Sequence, residues 1–297
     1  MSWRTIIITN QAKLDLNSGF MVVRGMETKK VVLDEIAILV LENPAISLTG
    51  CLMEALIEHK VRIIFCDSKR NPIGELTPHH GSHDSSAKIR TQAVWREDVK
   101  ALIWDEIISE KIRKQADFLA ELEKDREAEL LRSYIGGVEM KDATNREGHA
   151  AKVYFNALFG MSFTRSADNP INAALNYGYS IILSAFNREI CANGYITQLG
   201  IFHNNMFNHY NLACDLMEPY RILVDRLVRS MELTKFGLEE KHALWSLLEY
   251  TVLLEDQRQH LSKAIAIYTK SVFDAINDND PSRIKHYEIA PEANFHL

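Results

Sequence analysis

The stretch GIFHNNMFNHYNLACDLMEPYR, Gly200 to Arg221, holds side chains of the types that bind a divalent cation, among them His203, Asp215 and Glu218. A neutral imidazole nitrogen combined with carboxylate oxygens suits Mg2+ or Mn2+. On one continuous helix His203 and Glu218 would stand about 22 Å apart, at roughly 1.5 Å per residue, too far to share an ion. Asn204, Asn205 and Asn208 resolve this, because asparagine side chains compete for backbone hydrogen bonds and favour irregular chain. HNNMFNHYN therefore reads as a loop that feeds a helix capped by Asn211. Pro219 removes a backbone donor and bends or restarts that helix just past Glu218. Asp215 and Glu218, three residues apart, share a helix face and repel unless a cation lies between them. Spacing alone leaves open that His203 and Glu218 only cap and solvate a helix entry.

A second acid stands in NREGHAAKVYFNALFG, where Glu147, Ala150, Ala151 and Tyr154 fall on one helical face. The small residues beside Glu147 let another element approach closely. Alone, Glu147 also fits a first-turn acid that complements the helix dipole.

The elements that must carry these residues change character along the chain. RTIIIT, AKLDL, FMVVRG, KKVVL, IAILVL, VRIIFCD and NPIGELTP read as short strands rich in β-branched residues. SLTGCLMEALIEHK, among them, reads as a helix capped by Ser47 or Thr49. HHGSHDSSAK, His79 to Lys88, reads as a polar linker whose His79, His80 and His83 are solvated rather than a metal cluster. Beyond it glycine and proline become scarce. Residues 93–134 show the apolar stripe of a surface helix, and KIRK, Lys111 to Lys114, reads as its exposed face. DNPINAALNYGYSIILSAFNREICANG reads as a helix capped by Asp168 or Asn169, with Pro170 in its first turn and Gly194 past its end. The terminal APEANFHL reads as frayed. The expected fold class is α+β: a β-rich N-terminal domain over residues 1–80, a linker over 81–87, and an all-helical domain over 88–297.

Composition excludes several classes. Hydrophobic residues make up 46% and charged residues 25% of the 297 positions, as in soluble globular proteins. No signal peptide is recognisable, and no apolar run is long enough to span a bilayer. Cys51, Cys66, Cys191 and Cys214 lack paired spacing and read as buried free thiols in a cytoplasmic protein. The net charge of −6 argues against general binding of polyanions, so any nucleic-acid surface must be a local basic stripe.

Three motifs in this order, NREGHAAKVYF, NAALNYGYSIIL and GIFHNNMFNHYNLACDLMEPYR, resemble the CRISPR-associated integrase family, the universal first Cas protein of spacer acquisition. The long third motif, with the opening SWRTIII and SLTGCLMEALIEHKVRIIFCD, is most similar to the form in type II systems. The resemblance covers the whole chain and implies a β-rich dimerisation domain followed by a helical catalytic domain. It implies that Glu147, His203 and Glu218 bind the catalytic Mg2+ or Mn2+, with Asp215 either assisting them or only lying behind them, since some relatives use an aspartate as the last ligand. It implies an integrase that joins 3′-hydroxyl ends of short DNA fragments to the CRISPR repeat by transesterification, and an endonuclease when water replaces the hydroxyl. The implied partners are double-stranded DNA, a second copy of the chain and a small ferredoxin-like second Cas protein. Type II relatives add a ring-shaped DNA-end-binding protein and the RNA-guided effector nuclease. Lys88, Arg90, Arg146, Arg165 and Arg221 are candidates for phosphate contacts, and Tyr177 and Tyr179 either for stacking or hydrogen bonding to DNA or for packing of their helix. The competing readings are a catalytically inactive DNA-binding scaffold and a stand-alone metal-dependent repair nuclease.

Overall fold

The computed structural model describes residues 4–76, 82–135 and 146–289, and the chain divides into two compact units, Met1–His83 and Asp84–Leu297. In the first unit eight strands alternate with short connections: β1 (Arg4–Ile8), β2 (Lys13–Asn17), β3 (Phe20–Arg24), β4 (Thr28–Val32), β5 (Ile36–Leu41), β6 (Ser47–Leu48), β7 (Arg62–Cys66) and β8 (Pro72–Leu76). One helix, α1 (Gly50–Glu58), interrupts them. Its cap is Thr49, whose hydroxyl accepts from Leu52 N at 3.3 Å, while Ser47 joins a strand instead.

Two sheets result, in the orders β1-β5-β7-β8 and β4-β3-β2-β6. The strand IAILVL is apolar at all six positions because β5 lies inside its sheet, parallel to β1 and β7, and every residue is buried. β2, β3 and β4 form an antiparallel meander. Leu14, Met21, Ile36, Leu39, Leu52 and Ile63 form the core of this unit.

The second unit is mostly helical: α2 (Ser85–Ala93), α3 (Glu97–Glu121), α4 (Asp125–Arg132), α5 (Arg146–Phe159), α6 (Pro170–Ala192), α7 (Asn211–Leu216), α8 (Arg221–Ser230), α9 (Leu238–Ser246) and α10 (Leu261–Asp278). It is not all-helical. β9 (Thr251–Leu254), β10 (Gln257–His260) and β11 (Glu288–Ile289) form a three-stranded antiparallel sheet in the order β10-β9-β11. TVLLEDQRQH escapes a helical reading because Glu255 and Asp256 adopt positive φ and turn the chain into a hairpin. The linker also ends earlier than expected, since α2 already begins at Ser85. His79 and His80 lie outside the described residues, as does the terminal APEANFHL.

The stripe over 93–134 is two helices, broken at Leu122–Lys124 where Glu123 takes φ 59°. α3 is no surface helix. Val99, Ile103, Trp104, Ile107, Ile108, Lys111, Ile112, Gln115 and Leu119 are all buried, and α4, α5, α8 and α10 pack around it. The KIRK segment is therefore corrected: Lys111 and Lys114 are buried to nine-tenths, and only Arg113 reaches solvent.

α6 begins as its sequence demands, with Asn169 Oδ1 accepting from Asn172 N at 2.8 Å, Pro170 in the first turn and Gly194 at φ 84° past its end. Gly178 lets α6 and α8 touch, because a Cβ there would overlap the Val224 side chain. That close approach brings Tyr179 of α6 to Asp225 of α8.

Candidate metal centre

The loop between α6 and α7 carries His203, and its asparagines hold its shape. Asn211 Nδ2 donates to the carbonyls of Gln198 and Asn205, both at 3.0 Å, and Asn211 Oδ1 accepts from Asn205 N at 3.2 Å. Asn205 Oδ1 accepts from Phe207 N, and Asn208 Oδ1 from Tyr210 N, each at 2.9 Å, giving two side-chain-closed turns. From α2, the Gln92 amide pins the loop entry through Ile196 N, Ile196 O and Leu199 O. Asn211 is the first residue of α7 rather than its cap, because its side chain is occupied across the loop.

Asp215, fully buried on α7, gathers the other end of the same loop. Its carboxylate accepts from Ile201 N at 2.6 Å, Phe202 N at 3.1 Å and His203 N at 3.0 Å. Its Oδ1 also lies 2.6 Å from His203 Nδ1. A carboxylate can only accept there, so Nδ1 donates and the neutral ring carries its lone pair on Nε2. A Cβ on Gly200 would stand 2.6 Å from Asp215 Oδ2 and overlap the His203 carbonyl, so only glycine fits this turn. Trp104 of α3 stacks flat on Phe202, with centroids 4.4 Å apart, and meets the His203 ring edge-on at 5.8 Å.

Glu218 sits at the break between α7 and α8, in the single 3-10 turn Glu218–Tyr220 that Pro219 imposes. It is buried, and two cations hold it. Arg221 Nε donates to Oε1 at 2.9 Å, and Lys111 Nζ stands 2.6 Å from Oε2. Burial pushes the Glu218 carboxyl up, but the Arg221 and Lys111 charges outweigh it and hold the group at about 2. The expected repulsion between Asp215 and Glu218 is thus absorbed: Asp215 spends its oxygens on backbone N–H groups, and Glu218 faces two cations.

A second buried layer lies behind Arg221. Its guanidinium is 4.8 Å from the centre of the Tyr179 ring, with Arg165 at 5.4 Å, and Tyr179 Oη donates to Asp225 Oδ1. Burial pushes the Asp225 carboxyl up to about 6, against the pull of the Tyr179 and Tyr154 hydroxyls and of Arg221.

A family model described as CRISPR associated protein Cas1 matches residues 5–265. The chain belongs to the Cas1 family. It is 34% identical over 302 aligned residues to the CRISPR-associated endonuclease Cas1 of Neisseria meningitidis serogroup C (strain 8013), with 98% of each chain covered. A Cas1 endonuclease of Thermodesulfovibrio yellowstonii is 28% identical over 197 residues, covering 58% of this chain and 61% of that relative. In fold, the chain is similar to a casposase bound to its integration product, at TM-score 0.73 and 16% identity, covering 100% and 96% of the two chains. It is also similar to a Cas1 protein from Thermotoga maritima, at TM-score 0.72 and 15% identity, covering 92% and 97%. A Cas6-RT-Cas1–Cas2 complex gives TM-score 0.72 at 18% identity, covering 97% of this chain and 36% of that one. As a Cas1, this chain is an endonuclease and integrase of CRISPR adaptation.

The remaining candidates fall into three groups. His203, Asp215, Glu218 and Arg221 occupy the loop and helix break described above, and Arg165 reaches the Tyr179 ring behind Arg221 while bonding Asn176 at 2.7 Å. Lys88 pairs with Asp84 at 3.1 Å within α2, where Arg90 is exposed in the last turn. Tyr177 and Tyr179 are buried, and Tyr177 Oη accepts from Trp245 Nε1 at 3.0 Å, so packing replaces the stacking on DNA that the sequence suggests. Arg146 and Glu147 open α5, with Ala150 and Tyr154 buried beyond them, but the Arg146 and Glu147 side chains lie outside the described residues. No group of three His, Cys, Asp or Glu converges among the described residues. Two groups nevertheless suit a hard divalent ion by their chemistry: His203 Nε2, left by its tautomer, and the buried Glu218 carboxylate, whose Oε2 faces Lys111 Nζ at 2.6 Å. Lys111, Trp104 and Asp225 are missed from sequence. For Lys111 a signal existed, since it follows Trp104 by seven residues and so sits in the apolar stripe.

All four cysteines are free, yet only Cys66 is buried and Cys51 is exposed, because Cys51 falls on the outer side of α1. Among the described residues no helix is long and apolar enough to cross a membrane.

Proposed function

We propose that the helical unit of this Cas1 joins 3′-hydroxyl ends of short DNA fragments to phosphodiesters of the CRISPR repeat, with Mg2+ or Mn2+ held by Glu147, His203 and Glu218. The observation that carries the reading is the carboxylate–histidine pair. Asp215 locks the loop and the tautomer, so that His203 offers Nε2 without having to be reoriented. When bound, such an ion activates the attacking oxygen and neutralises charge on the scissile phosphate. The chain's own residues do the rest. Asp215 keeps the imidazole oriented by holding its Nδ1 side. Lys111 and Arg221 hold Glu218 ionised. Trp104 and Phe202 wall the imidazole on its apolar side.

The structural likeness to Cas1–Cas2 complexes supports a small second Cas protein as partner, and the edge strands of the first unit support dimerisation through residues 1–80. The type II-like motif supports a ring-shaped DNA-end-binding protein and an RNA-guided nuclease as further partners. The free cysteines suit the cytoplasm. Labelled 3′-hydroxyl DNA, a supercoiled repeat plasmid and Mn2+ test the reading. Joined product is expected. Nicking without joining would support the repair nuclease, and neither outcome the inactive scaffold.

A further inference from the structure

The loop that carries His203 also carries two of the most exposed apolar side chains among the described residues: Met206 at 86% and Phe207 at 81% exposure. Exposed apolar residues on a slack loop would mean little. This loop is not slack. Asn205 and Asn208 close the turns on either side of the Met206–Phe207 tip, and Asn211 ties Asn205 back to Gln198. Thr197 Oγ1 donates to the His209 carbonyl at 2.7 Å, and Asn208 Nδ2 reaches Cys214 Sγ at 3.5 Å. Four polar side chains, Asn205, Asn208, Asn211 and Thr197, therefore hold two apolar ones out into water, three and four residues beyond His203. Rigid presentation of apolar surface beside a reacting centre marks a contact with something that the centre handles.

We propose that Met206 and Phe207 form a wedge that lodges against an unstacked nucleobase beside the phosphodiester being made or broken. This rests on the reading that the substrate is DNA. Proteins that bend or open duplexes insert such unbranched or aromatic side chains at base steps, and every base offers a π-face to an aromatic ring. The exposed Asn204, Asn205 and His209 around the tip can hydrogen-bond phosphates or base edges without competing charge. The wedge gives a physical use for the asparagine-rich composition: the braces fix the distance from the tip to His203, so that an unstacked base and the reacting phosphate are held in one register.

The test uses the full-length protein and a pre-joined branched DNA, so that binding is read without requiring catalysis. 2-Aminopurine is placed in one arm beside the 3′ end of the joined fragment, and in another beside the target phosphate. Its fluorescence should rise several-fold on binding in at least one arm, which identifies the strand that the wedge opens. Met206→Ala/Phe207→Ala should abolish the rise and slow joining about tenfold, while its melting temperature and its manganese-induced shift stay those of the parent. Phe207→Trp should restore both signals. If the parent shows the rise but joins nothing, the wedge stands and the integrase reading falls. If the double variant keeps the rise, the wedge is overturned. If the variant keeps the rise but loses self-association or capture of its second Cas partner, the tip is a protein interface and the proposal is equally overturned.

Discussion

Lys111 Nζ lies 2.6 Å from Glu218 Oε2, and both side chains are buried to nine-tenths or more. A lysine from the middle of α3 thus serves the acid at the break between α7 and α8. The pair accounts for how an acid proposed as a metal ligand is tolerated in the folded protein: the ammonium and the Arg221 guanidinium supply the opposite charge. Lys111→Met should destabilise the protein in chelator by about 2 kcal/mol, because Arg221 still serves Glu218 and the full ~3–5 kcal/mol of an orphaned buried charge is not reached. That is a fall of roughly 4–8 °C in Tm. Saturating Mn2+ should recover most of the loss, giving the variant a larger manganese-induced shift than the parent. An equal or smaller shift in the variant would remove Glu218 from the ligand set.

Glu218→Gln separates the same site by pH. The Glu218 carboxyl is held at about 2 by its cations, below its ordinary value of 4.5. Its contribution to stability is therefore present above about pH 4.5 and lost as pH falls toward 2. The parent should lose Tm across that window more steeply than Glu218→Gln, and at neutral pH in chelator the variant should melt lower than the parent. Repulsion among converging acids, read from sequence alone, would give the opposite order. Superimposable slopes below pH 4.5 would show that the cations do not hold the carboxylate.

Asp215→Asn tests the brace behind His203. The amide must turn its NH2 either toward His203 N and Nδ1 or toward the backbone N–H groups of Ile201 and Phe202, and either choice disturbs the loop. Manganese affinity, measured by calorimetry, should fall about 10- to 100-fold, the range for losing the partner of a ligating histidine. Nitrogen-15 NMR should show that His203 no longer favours the Nδ1-protonated tautomer. Unchanged affinity with a scrambled tautomer would separate His203 from the metal.

The legible parts of this molecule are those where local chemistry and tertiary structure agree. Thr49, Asn169 and Pro170 start their helices as their side chains dictate, and the β-branched runs of the first unit are strands. The loop at His203 was readable because asparagine refuses helix for a local reason. The place of Lys111 in the apolar stripe is a local signal, but the acid that it serves is not, since Glu218 is 107 residues away. The β9–β10 hairpin was hidden because its turn, Glu255-Asp256, lacks the glycine that normally announces positive φ. Burial of Tyr177 and Tyr179 follows from the contact of α6 with α8 at Gly178, which no local pattern encodes.

Asp225 offers a prediction with the opposite sign to Glu218. It is enclosed by Tyr154, Tyr179, Arg221 and Arg165, and burial outweighs those partners, raising its carboxyl from 3.8 to about 6. Between those two values the folded protein keeps a proton that the unfolded chain has released. Stability from this group is therefore greatest at low pH and falls as pH rises toward 6, by on the order of 3 kcal/mol at ~1.4 kcal/mol per unit. Asp225→Asn cannot titrate, yet its amide oxygen can still accept from Tyr179 Oη. The Tm of the variant minus that of the parent should increase between pH 4.5 and pH 7.5, by roughly 5–10 °C at most, in chelator. Differential scanning fluorimetry across that range reads it directly. A difference that stays constant with pH would mean that Asp225 is ionised in the folded protein throughout, and that Arg221 is shared between Glu218 and Asp225 rather than committed to Glu218.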